Sequence, residues 1–127
     1  MASDNSVGAI LQRAHRLGLA IPAFNIPYLP MVAPVVQAVV DLDSFSLVEV
    51  ARLEWTKFAA GSPAQVAAEF ARWARPEHVR LHLDHIPVID EDRQRVDYLP
   101  IIGEAIRLGF ESVMVDGSRL SLEENIR

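Results

Sequence analysis

The 127-residue sequence predicts an α/β domain built on a parallel β-sheet. Short apolar segments typical of strands alternate along the chain with longer segments of helical periodicity. Alternation of this kind favours parallel strands joined by right-handed helical crossovers. Each apolar segment is also followed by polar residues, which a parallel sheet would collect at its carboxyl edge. Half of the residues are hydrophobic, which is enough for a globular core.

The first third of the chain is predicted to form a helix, a strand and a second helix. Residues 6–17 have helical apolar spacing, and Ser6 can cap them. Residues 20–26 are predicted to be a short strand, after which prolines interrupt regular structure. Residues 31–42 then form an apolar helix, in which Pro34 is tolerated because it falls in the first turn.

The middle of the chain is predicted to form a strand and a helix separated by an irregular segment. Residues 46–52 have the composition of a buried strand, and residues 53–61 show no regular period. Ser62 is a good helix cap, and Pro63 fits the first helical position. The helix that follows is predicted to end near Arg75, since proline comes next.

The last third contains a further helix and strand after a charged segment. Residues 89–95 are predicted to be a solvated loop. Residues 97–108 have helical spacing, and residues 111–116 are predicted to be the fourth strand. Ser121 can cap a final helix, with acidic residues in its first turn.

The strongest chemical signal is the stretch VRLHLDHIP at 79–87, which contains the predicted third strand. We expect His85 at or just past the strand end, because Pro87 disfavours continuation of the ladder. Asp84 and His85 would then lie at the carboxyl edge, where a metal ligand beside a general acid or base is well placed. His82 is expected to hydrogen-bond within the strand end rather than to bind a metal, and to orient Asp84, with which it shares a face. A hydrogen-bonded strand end without catalytic chemistry is the alternative.

Composition excludes several classes of protein. The net charge is -5 with both signs interspersed, which argues against a nucleic-acid partner. The absence of cysteine excludes disulfides and thiolate metal sites, so a metal would need histidine and carboxylate ligands. No apolar run is long enough to span a membrane, and the N-terminus does not resemble a signal peptide. A cytoplasmic protein is therefore expected.

Three stretches together resemble one family. They are IPAFNI at 21–26, LHLDHIP at 81–87 and AIRLGFESVMVDGSRLSLEENI at 105–126, the last being the most specific. They are similar to the class II, zinc-dependent fructose- and tagatose-bisphosphate aldolases, whose fold is a (β/α)₈ barrel. The resemblance covers the chain from about residue 7 to 127 but only the first half of such a barrel. It implies that residues 1–127 are a single partial domain, the N-terminal half of a TIM barrel with four parallel strands.

The resemblance also implies roles for individual residues. Asp84 matches the catalytic aspartate that exchanges a proton with the hydroxyl at the aldol carbon. His85 matches the first of three histidines that bind the catalytic Zn²⁺, which polarises the substrate carbonyl. Asp116 matches a carboxylate near the metal that in some members binds a second divalent metal. Asn25 and Arg52, after the first and second strands, are the predicted substrate-binding residues.

This chain also departs from the family pattern. The other two zinc histidines belong to the second half of the barrel. Ile86 stands where the family usually has a small residue, and Arg52 stands where it often has a substrate-binding serine. A bulky guanidinium there could still bind phosphate.

The predicted function is zinc-dependent aldol cleavage and condensation of fructose 1,6- or tagatose 1,6-bisphosphate, as part of a longer chain. The products would be dihydroxyacetone phosphate and glyceraldehyde 3-phosphate. A homo-oligomer is expected, and the 127 residues alone are not expected to be active. The alternative is a non-catalytic half-barrel that binds a phosphorylated sugar or a partner chain.

Overall fold

The computed structural model describes residues 5–126, so residues 1–4 and 127 of the predicted domain lie outside the described part. Its elements, in chain order, are α1 (Val7–Arg16), β1 (Ala23–Asn25), α2 (Val32–Asp41), β2 (Ser46–Ala51), α3 (Arg52–Lys57), α4 (Pro63–Trp73), β3 (Val79–Pro87), α5 (Tyr98–Arg107), β4 (Ser112–Asp116) and α6 (Leu122–Ile126). A short 3₁₀ turn over Leu29–Met31 precedes α2. No helix within the described residues has the length and apolar character needed to cross a membrane.

The four strands form one parallel sheet in the order β1-β2-β3-β4. Asn25 is in register with Glu49, Ala51 with Asp84, and Pro87 with Asp116. The carboxyl ends of the strands therefore lie along one edge. This confirms the predicted α/β class and the four parallel strands.

The helix caps follow the sequence signals. The Ser6 hydroxyl accepts a hydrogen bond from the Ala9 amide at 3.3 Å, as expected for an N-cap. Ser62 and Gln65 form a reciprocal capping box at the start of α4, with bonds of 3.2 and 2.9 Å. Pro63 occupies the first turn, where its missing N–H costs nothing.

The core lies between the central strands and the helices α2 and α4. Val48 and Val50 of β2 and Leu83 of β3 are fully buried. Val36 of α2 and Val66 of α4 complete the same cluster. This apolar layer fixes the two central strands, and with them the edge that carries the polar residues.

The segment predicted to be irregular contains a helix, α3, so that prediction is wrong. The carboxylate of Glu54 accepts a 2.7 Å hydrogen bond from the Ala51 amide, which satisfies a free donor at the helix start. With six residues, α3 is too short to show helical periodicity in the sequence.

The charged segment after β3 is not simply a solvated loop, so the prediction for residues 89–95 is corrected. Asp90 is buried, and its Oδ1 accepts hydrogen bonds from the amides of Asp92 at 3.0 Å and Gln94 at 2.8 Å. Its Oδ2 forms an ion pair with Arg52 at 3.4 Å. Aspartate builds such turns by bonding to its own backbone, and the arginine offsets the buried charge.

The third strand also continues past His85, contrary to the prediction. The register between β3 and β4 shifts between Leu83 and Ile86, and pairing then resumes at Ile86 and Pro87. A bulge of this kind removes residues from the regular alternation of the ladder. Pro87 thus ends the strand two residues later than predicted.

Truncation of Leu83 is expected to destabilise the chain strongly, because its side chain is fully buried between strands and helices. We expect Leu83→Ala to lower the free energy of unfolding by about 2–5 kcal/mol in chemical denaturation. The matched control is Leu42→Ala, whose side chain is 78% exposed and which should change it by less than about 0.5 kcal/mol. Equal effects of the two substitutions would contradict this description of the core.

Replacement of Asp90 should loosen the segment after β3. Because Asp90→Ala removes two backbone hydrogen bonds and leaves Arg52 unpaired, we expect a loss of about 1–3 kcal/mol of stability. Hydrogen exchange at the amides of residues 92 and 94 should become faster. Asp92→Ala, which removes an exposed carboxylate, is the control and should leave those amides protected. Unchanged exchange in Asp90→Ala would show that the turn is held by other contacts.

Candidate active site

An open cavity of about 420 Å³ lies at the carboxyl edge of the sheet. Its lining includes residues from the ends of all four strands: Asn25, Ala51, Asp84, His85 and Asp116. The sequence predicted that Asn25, Asp84, His85 and Asp116 would share one edge with Arg52, and the structure places these four around one cavity, which Arg52 does not line. Their catalytic and binding roles remain predictions.

The bulge in β3 directs two consecutive side chains into this cavity. His85 has a φ of 42°, in the left-handed region, where histidine is enriched among non-glycine residues. In a regular strand, Asp84 and His85 would point to opposite faces of the sheet. Here His85 Nε2 lies 3.8 Å from Asp84 Oδ1, and both residues line the cavity.

Asp84 is buried, and Asn25 fixes its orientation. The Asn25 amide donates to Asp84 Oδ2 at 3.1 Å and makes a longer bond of 3.4 Å to Glu54. Glu54 is itself buried and held by the Ala51 amide. Asn25 therefore links β1 to the carboxylate on β3, in addition to its predicted role in substrate binding.

Asp116 orients His85 from the neighbouring strand. His85 Nδ1 donates to Asp116 Oδ2 at 3.1 Å, while Asp116 Oδ1 accepts from the Ser118 amide at 2.8 Å. Hydrogen bonds from Ser118, and then the contact with His85, lower the pKa of Asp116 to about 2. The hydrogen bond to Asp116 raises the pKa of His85. An ionised carboxylate can only accept, so Nδ1 is the donor and Nε2 is left towards the cavity.

His82 does not orient Asp84, which corrects the sequence-based expectation. Its Nδ1 lies 2.8 Å from the Ser112 hydroxyl on β4, and its Nε2 lies 4.0 Å from Asp84 Oδ1, too far for a hydrogen bond. Burial lowers the pKa of His82. The orienting group for Asp84 is Asn25.

Glu49 is a buried carboxylate that sequence reasoning overlooked. It lies in the middle of β2, and its side chain is directed to the same side as His82 and Asp84. Burial, followed by repulsion from Asp84 and Glu54, raises the pKa of Glu49 to about 7. The signal was a single acid within the apolar stretch SLVEVA.

The arginines near the cavity are placed differently from the prediction. Arg52 pairs with Asp90 and is not among the residues lining the cavity, so its role in substrate binding stays a prediction. Arg119, which was not singled out, does line the cavity, and its guanidinium donates to the Ile89 carbonyl at 3.1 Å. The position just after the conspicuous DGS sequence was the signal for it.

Comparison with known proteins decides the family. The model of the family "Fructose-bisphosphate aldolase class-II" matches residues 5–127. The chain belongs to the class II fructose-bisphosphate aldolase family. This class II aldolase chain is also 33% identical over 118 residues to the D-tagatose-1,6-bisphosphate aldolase subunit GatY of Klebsiella oxytoca. That match covers 92% of the chain and 37% of the relative.

A solved structure supports the same assignment. The crystal structure of a fructose-bisphosphate aldolase from Campylobacter jejuni superimposes on the class II aldolase chain with a TM-score of 0.68 and 25% identity. The superposition covers 94% of this chain and 39% of that protein. The chain thus spans about two-fifths of the length of these relatives, and the predicted partial barrel fold is confirmed.

The contact between His85 and Asp116 can be tested through its pH dependence. Because the pKa of His85 is raised, protonation of His85 stabilises the fold fully below pH 6.5, the ordinary pKa of histidine. This stabilisation is lost as the pH rises through the raised pKa. The lowered pKa of Asp116 stabilises it above the ordinary 3.8, and this is lost as pH falls towards about 2. The contact between His85 and Asp116 therefore contributes its full stabilisation between pH 3.8 and pH 6.5.

Titration of His85 by NMR in the metal-free protein is the measurement. Asp116→Asn should lower the pKa of His85, because the amide cannot supply the negative charge. Asp41→Asn, an exposed position at the end of α2, is the control and should leave the titration of His85 unchanged. Identical His85 titrations in Asp116→Asn and the unmodified protein would exclude the hydrogen bond.

Proposed function

We propose that this chain contributes part of the active site for zinc-dependent aldol cleavage and condensation of a ketose bisphosphate. The observation that carries the proposal is the pairing of Asp84 with His85 at the bulge in β3, inside the cavity. A carboxylate beside an oriented imidazole combines a proton-transfer group with a metal ligand. Two findings support this chemistry. The chain belongs to the class II aldolase family, and it is similar to two bisphosphate aldolases.

The residues of this chain fit a zinc ion in their chemistry. His85 has Nδ1 engaged by Asp116 and Nε2 left for a ligand, the arrangement that orients metal-binding histidines in proteins. Asp116 is then a positioning group for His85, with a second divalent metal as its other predicted role. Bound Zn²⁺ supplies Lewis-acid polarisation of the substrate carbonyl. Catalytic zinc usually has three protein ligands. We therefore propose that the other two ligands come from parts of the protein outside residues 1–127.

Asp84 is the proposed proton-transfer residue. In cleavage, its carboxylate accepts the proton of the substrate hydroxyl as the carbon–carbon bond breaks. In condensation, it returns that proton to the oxygen of the aldehyde. Asn25 holds Asp84 Oδ2 at 3.1 Å, which fixes the carboxylate before the substrate binds.

The proposed substrate is a phosphorylated ketose. Asn25 and Arg52 remain the proposed substrate-binding residues, and Arg119 adds a cation at the cavity. The guanidinium of an arginine matches phosphate geometry with two parallel donors. The two relatives are named for tagatose and fructose bisphosphates, and both substrates fall within the proposal.

We also propose that residues 1–127 form one partial domain of a homo-oligomeric protein. Within the described residues, β1 and β4 each pair with one strand and leave the other edge free. Phe24 and Val115 on these strands are 42% and 43% exposed. Open strand edges with apolar side chains favour pairing with further polypeptide.

Substitution of Asp84 and His85 in the full-length protein tests the proposal. Asp84→Asn should lower cleavage of fructose or tagatose 1,6-bisphosphate by about 10²–10⁴-fold while the catalytic zinc at His85 is retained, because it removes the proton acceptor. His85→Asn should lose the catalytic zinc on dialysis; asparagine is chosen because it tolerates the positive φ at this position.

Asp92→Asn, which changes an exposed carboxylate on the neighbouring loop, is the control and should keep both activity and zinc. Ordinary turnover in a folded, zinc-loaded Asp84→Asn protein would rule out its proposed role. Binding of the sugar bisphosphate without any cleavage by the unmodified protein would favour the non-catalytic alternative.

A further inference from the structure

We propose a second cation site, formed by Glu49, His82 and Asp84, deeper in the sheet than His85. Glu49 on β2 is in register with His82 on β3, and Asp84 follows two residues later on the same strand. One ligand atom from each of the three residues lies within 4.8 Å of the other two. A divalent transition metal such as Zn²⁺ accepts this set of one imidazole and two carboxylates.

Glu49 is a buried carboxylate that lacks a hydrogen-bond donor within the described part of the chain. It is 8% exposed, and no group among residues 5 to 126 donates a hydrogen bond to its carboxylate. A buried carboxylate without a hydrogen bond is costly, and the attraction of Glu49 to His85 is weaker than its repulsion from Asp84 and Glu54. The side chain is directed towards His82 and Asp84, so a cation between the three would satisfy it.

His82 is prepared to act as a ligand through its other nitrogen. In the tautomer whose Nδ1 donates to the Ser112 hydroxyl, 2.8 Å away, Nε2 carries the free lone pair, and this nitrogen lies 4.0 Å from Asp84 Oδ1. A hydrogen bond on the distal nitrogen is the usual support for a metal-binding histidine. Asp84 Oδ2 is occupied by Asn25, which leaves Oδ1 for the ion.

The negative charge of the carboxylates around the site also favours binding of a cation. Glu54 is a third buried carboxylate near Glu49 and Asp84. The neighbouring Arg52 is directed to Asp90, and the side chain of His85 is 55% exposed. Two carboxylate ligands would balance the charge of one divalent ion.

This site is separate from the proposed catalytic zinc, whose ligand in this chain is His85. It shares Asp84 with the proposed function but does not rest on it, because metal binding can be measured without turnover. The cation and the substrate proton would compete for the same carboxylate, which links occupancy of the site to the proton transfer proposed for Asp84.

The test is zinc binding by the full-length protein in a His85→Asn background, where the proposed catalytic site is disabled. Isothermal titration with Zn²⁺ should detect a remaining site. Adding Glu49→Gln, which keeps the shape but removes the charge, should weaken that site by at least about tenfold. Adding His82→Gln should do the same. Glu104→Gln, an exposed position on α5, is the matched control and should leave binding unchanged.

The outcomes separate this inference from the proposed function. Equal zinc affinity with and without Glu49→Gln, or no zinc binding in the His85→Asn background, would overturn the second site. Full turnover by Asp84→Asn would instead overturn the proposed function, while the effect of Glu49→Gln on zinc binding would still decide the second site.

Discussion

The bulge in β3 is the constraint on which the rest of the site depends. Neighbouring residues in a regular strand face opposite sides of a sheet, so Asp84 and His85 could not both reach one cavity. The left-handed backbone at His85 changes this, and the ladder with β4 resumes at the next residue, Ile86. The same distortion brings His85 to Asp116, which lies at the end of the adjacent strand. Backbone geometry thus assembles the acid, the imidazole and its orienting group.

A second layer of contacts holds the acidic groups in place. Asn25, Glu54 and the Ala51 amide form a chain of hydrogen bonds that joins β1, α3 and the end of β2 to Asp84. Two of these groups, Glu54 and Asp84, are buried carboxylates, which are stable only when each has a partner. Glu49 is a further buried carboxylate beside these groups, and it differs from them because its carboxylate accepts no hydrogen bond from the described residues.

The elements that could be predicted from sequence are those governed by local rules. Caps at Ser6 and Ser62 and apolar periodicity defined the long helices, and alternation of strands with helices defined the parallel sheet. Asp84 and His85 were located because their sequence context is distinctive. The shared edge of Asn25, Asp84, His85 and Asp116 then followed from strand direction alone.

What could not be predicted depends on contacts between distant residues. Helix α3 was missed because it is short and is stabilised by a carboxylate at its own start. Asp90 looked solvated in a charged segment, yet its burial depends on Arg52, which lies 38 residues earlier. Glu49 looked like an isolated acid in a strand, and its importance appears only when β3 brings His82 and Asp84 beside it.

The pairing of the loop after β3 with α3 makes the rim of the cavity sensitive to ionic strength. The outer contact, Lys57 with Asp92 at 2.9 Å, joins two side chains that are 47% and 63% exposed. The inner contact, Arg52 with Asp90, is largely shielded from solvent. Salt screens exposed charges far more than buried ones. The outer half of the rim therefore loosens first as salt rises, while the turn built on Asp90 keeps its shape.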